Sequence, residues 1–313
     1  MVPPRILITG ANGLVGQALV RGLSAWPGAD VLATGRQPAS PVSVFSGGYV
    51  PLDVLDTDAV ERVMQDFAPS VVVHAAAISQ VEACEADKEA CWALNVDATA
   101  ALAAACYRHG SRMVLLSSDF VFDGRSGPYA EDDRPFPLNA YGRSKLAAEN
   151  ALRLSRLTDW AVARTTLVFD VAEGDARLNL VTWLLRELAA GNPVRVASDQ
   201  TRTATYAPDL ADGIARLIRH QRAGTYHLAG RESLAILNMA HTVAEVFELD
   251  PSLISPARTA ELHPGAPRPL DAGLLILRAE SELGYRPRCL RDALRHLRDR
   301  IEAKALTEPP GSS

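Results

Sequence analysis

Between Arg5 and about residue 170, short runs of β-branched and apolar residues alternate with longer segments of helical periodicity. This alternation does more than any other feature to narrow the folds open to the chain. The runs are "RILITG" at Arg5, "VLATG" at Val31, "SVVVHAAA" at Ser70, "RMVLLSS" at Arg112 and "WAVARTTLVF" at Trp160. They are apolar throughout rather than at every second residue, so they read as strands buried on both faces. Helical segments between them, such as "ALNVDATAALAAACYRHG" and one beginning near Tyr141, supply the crossovers that parallel strands need. The expected fold is α/β, a Rossmann-type doubly wound parallel sheet occupying residues 1–170. Beyond 170 the alternation loosens. A smaller substrate-binding lobe is predicted from 171–193 and 229–304, with 194–228 returning to the first unit and 305–313 frayed.

With 313 residues, 48% of them hydrophobic, the chain can bury a large core. A formal charge of −5 leaves no basic footprint, so no nucleic-acid partner is expected. The arginines of "LRDALRHLRDRIEAK" read as the solvated face of a terminal helix whose apolar stripe is Leu290, Leu294, Leu297 and Ile301. No window reaches the roughly 18 consecutive apolar residues of a membrane span, and no secretory signal is evident. The expectation is a soluble, cytoplasmic protein with no membrane partner. Cys84, Cys91, Cys106 and Cys289 contain no CxxC pair and lie near no histidine at metal-ligand spacing. They are read as reduced, mostly buried thiols, and no metal is expected.

The first strand-to-helix junction, "ILITGANGLVGQALVRGL", places Gly10, Gly13 and Gly16 where a chain of this class holds a dinucleotide. Glycines there allow a tight turn, let the backbone approach a pyrophosphate, and let the helix pack close to the sheet. The amides at the helix start, with the partial positive charge of its dipole, suit the anion. The spacing is GxxGxxG rather than GxGxxG. The second strand ends in Gly35-Arg36 and offers no acid for a ribose diol, since Asp30 stands at its beginning. An arginine in that place suits a 2′-phosphate, which favours NADPH with NADH as the alternative. In "PLDVLD", Asp53 closes another strand, where a carboxylate could accept from an adenine amino group.

In "NAYGRSKLAAEN", Tyr141 and Lys145 stand four residues apart at a helix start, on one face. A phenol titrates near about 10, too high for acid–base work at neutral pH, and a neighbouring ammonium would lower that value. Ser117 and Ser118 end the strand "RMVLLSS" on the edge that faces a ligand crevice.

Ser118, Tyr141 and Lys145, set behind the glycine loop, resemble the extended short-chain dehydrogenase/reductases. The resemblance implies that Ser118 positions a carbonyl, Tyr141 donates the proton, and Lys145 binds ribose while acidifying Tyr141. It adds Asn95 of "LNVDAT" as the fourth member of the set. It also implies a cofactor surface of Gly10, Asn12, Gly13, Leu14, Val15, Gly16, Arg36, Asp53, Val54 and Ala75 to Ala77, with His74 as packing only. The segments "SSDFVFDG", "PYAEDDRPFPLNAYGRSKLAAE", "ARTTLVF" and "DQTRTATYAPDLADGI" are similar to dTDP-4-dehydrorhamnose reductases and their relatives. That similarity implies reduction of a nucleotide-linked 4-keto sugar, with Asp119, Arg202 and Arg268 at the substrate.

Two departures stand out. Ser118 occupies a place where those reductases usually carry Thr, and Phe120 one where they carry Tyr. Asp119-Phe120 lacks the Asp-Glu pair of nucleotide-sugar 4,6-dehydratases and the Cys of GDP-fucose synthases, so plain carbonyl reduction is favoured. The same motifs resemble the regulatory β subunit of methionine adenosyltransferase, which implies a non-catalytic binding role as the alternative. An epimerase is a third reading, and a homodimer is left open.

Overall fold

The computed structural model describes residues 3–40, 48–174 and 178–307, with side chains to residue 304. Its first half runs β1 (Arg5–Thr9), α1 (Leu14–Ser24), β2 (Asp30–Gly35), β3 (Tyr49–Pro51), α2 (Thr57–Phe67), β4 (Val71–His74), α3 (Val81–Ala86), α4 (Lys88–Trp92), α5 (Ala98–His109), β5 (Arg112–Ser118), α6 (Ala140–Arg153) and β6 (Trp160–Thr165). A π-helical turn, Ala93–Asp97, joins α4 to α5. The second half runs β7 (Val168–Phe169), α7 (Leu180–Ala189), β8 (Val194–Ala197), β9 (Thr201–Arg202), β10 (Thr205–Tyr206), α8 (Ala207–Arg219), β11 (Gly224–His227), β12 (Leu234–Ala235), α9 (Ile236–Val246), β13 (Ile254–Ala257), α10 (Thr259–Leu262), α11 (Leu277–Leu283) and α12 (Leu290–Thr307).

The central sheet has seven strands in the order β11-β6-β5-β4-β1-β2-β3, all parallel. Strand order reverses between β1 and β4, so the crevice of this doubly wound sheet opens beyond the C-terminal ends of those strands. Successive strand residues feed two different cores. Ile6, Ile8, Val71, Val73, Val114 and Ala163 point to one face, where α1 and α8 cover them with Leu19, Leu23, Leu210 and Ile214. Leu7, Val72, Met113, Leu115 and Val162 point to the other, under Met64 of α2, Leu102 of α5 and Leu152 of α6. This two-sided burial is why the strands read as unbroken apolar runs.

A third core belongs to the C-terminal lobe. It joins Leu184 and Leu188 of α7, Val194 and Val196 of β8, Met239 and Val243 of α9, and Leu290, Leu294 and Leu297 of α12. The returning segment expected over 194–228 begins later than that. β8 pairs with β13, not with the central sheet, and Tyr206 still packs in the third core. Only with α8 and β11 does the chain rejoin the sheet, β11 lying against β6. The helix α11 and Tyr285, expected in the lobe, also pack under the sheet. The physical reason is common to both: a short apolar run advertises burial but not its partner. Of the expected frayed end, residues 305–307 continue α12, and 308–313 lie outside the described residues. No described helix is long and apolar enough to cross a membrane.

Cys84 and Cys91, expected as free thiols, are joined in a disulfide, their Cα atoms 5.1 Å apart. Only Asp87 separates α3 from α4, and the sharp change of direction there folds positions seven apart onto one another. Cys106 and Cys289 are free, and burial pushes the Cys106 thiol up to about 12.

Candidate active site

The junction of β1 and α1 has the geometry of an anion cradle. Gly10 stands at φ 72°, and a Cβ there would meet the Ala76 nitrogen at 2.6 Å. A Cβ on Gly16 would come to 2.1 Å from the Gly10 carbonyl oxygen, so α1 can seat on the loop only with glycine. Gly13 differs: a Cβ there would meet nothing closer than 3.5 Å. Apart from the Gly10 carbonyl oxygen and the chain neighbours of Gly13, no atom of the described residues lies within 4 Å of that Cβ position, which stands at the α1 N-terminus. No side chain caps α1 and no acid occupies its first turn, so the first amides of the helix are free to meet an anion.

Gly10, Gly13, Leu14, Val15 and Gly16 form one end of a cavity of about 940 Å³. A volume of that size is at the upper end for a small-molecule site. Arg36, Val54 and Ala75 to Ala77 also line it. Arg36 is exposed, and among the described residues its guanidinium has no hydrogen-bond or ion-pair partner. Two predicted cofactor residues are absent from the wall. Asn12 instead donates to the Gln37 side chain at 2.9 Å and the Tyr49 hydroxyl at 3.0 Å, bracing the end of β2. Asp53 is exposed and accepts from the Leu55 amide at 3.0 Å, closing its own turn.

The middle of the cavity holds Ser118, Tyr141 and Lys145 together. α6 starts where it does because the Asn139 side chain accepts from the Gly142 amide at 2.8 Å, an N-cap. A Cβ on Gly142 would sit 2.1 Å from the Phe120 carbonyl oxygen, so this glycine lets the helix start press against the turn after β5. That close approach brings Tyr141 beside Ser118, with the Phe120 and Tyr141 rings edge to face at 5.5 Å. Asn95 is buried and is not part of the wall. Its side chain accepts from the Ile78 amide at 2.8 Å, and donates to the Ile78 carbonyl at 3.0 Å and the Ser144 hydroxyl at 2.8 Å. It therefore pins the loop after β4 to the first turn of α6, from a π-helical turn of the kind that often marks functional sites.

The electrostatics differ from the expectation of an acidified phenol. Burial pushes Tyr141 up to about 12; the Ser118 hydroxyl works against this, and the charge of Asp119 adds to it. Lys145 is not among the groups that shift it. Lys145 itself is lowered to about 8 by burial, with Glu149 opposing. Desolvation is the larger effect on each: Lys145 is buried, and the half-buried Tyr141 is shielded on its inner side. At neutral pH the site thus carries a protonated phenol beside an ammonium, a pair ready to give a proton rather than to take one. His74 is buried, paired with the Thr9 hydroxyl at 2.7 Å, and lowered to about 3, first by burial and then by Lys145. It is neutral packing.

The far end of the cavity is formed by the C-terminal lobe. Arg202 is buried, and its Nε pairs with Asp119 at 3.0 Å. Its other nitrogens donate to the carbonyls of Thr201 at 2.8 Å, Leu270 at 3.0 Å and Pro269 at 2.6 Å. Arg268 pairs across the cleft with Glu82 of α3, and His263 stands 3.5 Å from the same carboxylate. Sequence reasoning misses Glu82, His263 and Thr166: none belongs to a motif, and Glu82 and Arg268 lie 186 positions apart in sequence. No group of side chains suited to a metal occurs among the described residues.

Comparison with known proteins agrees with this geometry. The chain is 32% identical over 290 residues to a probable low-salt glycan biosynthesis reductase of Haloferax volcanii, covering 92% of this chain and 95% of that one. It is 34% identical over 284 residues to methionine adenosyltransferase 2 subunit beta of Danio rerio, covering 88% and 84%. The crystal structure of dTDP-4-dehydrorhamnose reductase from Bacillus anthracis in complex with NADP superposes with a TM-score of 0.81 at 26% identity, covering 95% and 99%. The model of the RmlD substrate binding domain family matches residues 4–303, and the chain belongs to that family of extended short-chain dehydrogenase/reductase-like proteins.

Proposed function

We propose that this chain is an NADPH-dependent reductase of a nucleotide-linked 4-keto sugar. The observation that carries this reading is a single cavity with an anion cradle at one end, Ser118, Tyr141 and Lys145 in the middle, and arginines from the second lobe at the other. The arrangement of its lining suits a dinucleotide at the glycine end and a second anionic ligand at the arginine end. The Bacillus anthracis reductase, solved with NADP, supports a nicotinamide cofactor. The nicotinamide would supply hydride. The residues of the chain would do the rest: the α1 amides hold pyrophosphate, Lys145 holds ribose, Ser118 aligns the ketone, and Tyr141 donates a proton to the forming alkoxide.

The test is loss of reduced-nicotinamide absorbance when the purified chain meets dTDP-, UDP- and GDP-linked 4-keto sugars with NADPH or NADH. Arg36→Ala is expected to weaken NADPH by about tenfold, the loss of one charge-assisted bond, and to leave NADH unchanged. Equal losses for both cofactors would remove Arg36 from 2′-phosphate recognition. Glu82→Gln is expected to free Arg268 for a diphosphate. The Glu82 side chain is 59% exposed, so its pair is worth about 0.2–1 kcal/mol, and affinity should rise about 1.5- to 5-fold. Calorimetry with a nucleoside diphosphate checks this, and a weaker complex would mean that Glu82 orients Arg268 instead of competing for it.

A second reading is favoured by the 34% identity to methionine adenosyltransferase 2 subunit beta. A chain that binds NADPH, reduces no keto sugar and forms a stable complex with a methionine adenosyltransferase would be a binding subunit.

A further inference from the structure

On the cavity wall one carboxylate oxygen is shared by two basic side chains. Glu82 Oε1, on α3, accepts from Arg268 Nη2 and stands 3.5 Å from His263 Nδ1. All three residues line the cavity. α3 belongs to the first unit, whereas His263 and Arg268 follow α10, so the three meet only across the cleft.

The two basic groups are held more firmly than the acid that joins them. Side-chain exposure is 17% for Arg268 and 35% for His263, but 59% for Glu82, which sits on a helix of six residues. Glu82 can therefore swing into water while the arginine and histidine stay in the wall. Arg268 also has a donor to spare: its Nε is buried and finds no acceptor among the described residues. A buried donor without an acceptor is costly, and Glu82 reaches only Nη2. A ligand with several acceptor oxygens can meet both nitrogens, since a guanidinium fork suits an oxyanion.

We propose that Arg268 and the protonated His263 together bind the diphosphate of a nucleotide sugar, and that Glu82 holds the place of a phosphate oxygen until the ligand displaces it. His263 makes this exchange proton-linked. The nucleotide-sugar identity of the anion rests on the reductase reading; the paired site rests on the geometry alone.

A carboxylate brings one negative charge. A sugar-linked diphosphate brings two and has no terminal phosphate proton to lose near neutral pH. In the unliganded chain His263 is held below its ordinary value, first by burial and then by Arg268, with Glu82 opposing. The ring is therefore mostly neutral at pH 7. A dianion in place of Glu82 raises its titration, and the ring takes up a proton as the ligand binds. Among the described residues Glu82 of α3 and Arg268 are the charged groups that act on it; on its own helix Glu261 is engaged with Arg195 of β8.

The probes are dTDP-, UDP- and GDP-glucose, which have no ketone to reduce. Each is titrated calorimetrically into the full chain from about pH 5.5 to 7.5 at constant ionic strength, in two buffers of different ionisation enthalpy. For a probe that binds, affinity should fall about five- to tenfold across this range, the scale of one charge-assisted hydrogen bond, with fractional proton uptake near pH 7. His263→Gln should match the parent within about twofold at pH 7.5, gain nothing at pH 5.5, and take up no proton. His263→Arg should keep the parent's acid-side affinity at pH 7.5. A histidine that only packs would cost the same at every pH when replaced. A flat parent profile, or a pH dependence that survives in His263→Gln, overturns the proposal.

If none of the three probes binds at any pH, the reductase reading fails, and sulfate, a dianion throughout this range, still decides the paired site. The His263 ring-proton resonance, identified by its absence from His263→Gln, should titrate at higher pH in sulfate than in chloride of equal ionic strength. The difference should vanish in Arg268→Met. A titration that sulfate leaves unmoved refutes the paired site.

Discussion

Tyr141→Phe is expected to lower kcat for keto-sugar reduction by about 10³- to 10⁴-fold, with NADPH affinity changed by less than about threefold. The substitution removes one hydroxyl and keeps the ring that stacks edge-on with Phe120, so the cavity wall stays in place. What is lost is the proton donor. Burial holds the phenol up to about 12, so near neutral pH it is protonated in essentially every molecule and can deliver its proton to an alkoxide as charge develops. Lys145 sets the pH range. Its value of about 8 means that its charge is present below that pH and is lost above it. Since kcat/KM reports groups of the free protein, the profile for reduction should be level from about pH 6 to 7.5 and fall through about 8. Phe at 141 retaining more than about a tenth of the parent kcat would place the proton donor elsewhere.

Features written in short-range spacing are legible in the amino-acid sequence alone. The i,i+4 pair of Tyr141 and Lys145 and the glycine triplet depend on local geometry, and unbroken apolar runs reflect strands buried twice over. Features that depend on distant partners or on desolvation are not legible in this way. Nothing in the spacing of Cys84 and Cys91 shows that α3 and α4 fold back on one another. Arg202 reads from sequence as a cation free for phosphate, but tertiary structure surrounds it with Asp119 and three carbonyls. Tyr141 beside a lysine reads as an acidified phenol, because a sequence displays the charge and hides the loss of water around it. The most local part of the constellation, Ser118-Asp119, is visible letter by letter, but the groups that hold the Asp119 carboxylate, Thr166 and Arg202, lie 47 and 83 residues further along.

Glu149→Gln is expected to destabilise the protein by about 3–5 kcal/mol, the cost of leaving one member of a buried ion pair alone. Glu149 has no exposed surface and accepts four donors: Ser117 at 2.6 Å and Arg164 Nε at 2.9 Å on one oxygen, Arg164 and Arg153 at 2.8 Å each on the other. Arg164 is 1% exposed and cannot reach water once the carboxylate is gone. For a chain of this size the loss corresponds to roughly 5–8 °C in Tm, measurable by calorimetry. The sign of its pH dependence follows from the shift. Burial alone would raise the Glu149 carboxyl, but the hydrogen bonds and charge of Arg164, with Ser117 and Arg153, hold it below the ordinary range. A carboxylate depressed in the folded state contributes its stability above the unfolded value of about 4.3 and loses it as pH falls through the folded one. The gap in Tm between the parent and Glu149→Gln should therefore be constant from about pH 5 to 8 and close below about 4. Replacing Arg164 by Met in the same chain should recover part of the loss, since the uncompensated charge is then absent. Glu149 also supports the charge of Lys145, so Glu149→Gln should move the fall of kcat/KM to a pH below 8. A variant with the Tm loss and an unmoved profile would separate this buried network from the chemistry of Lys145.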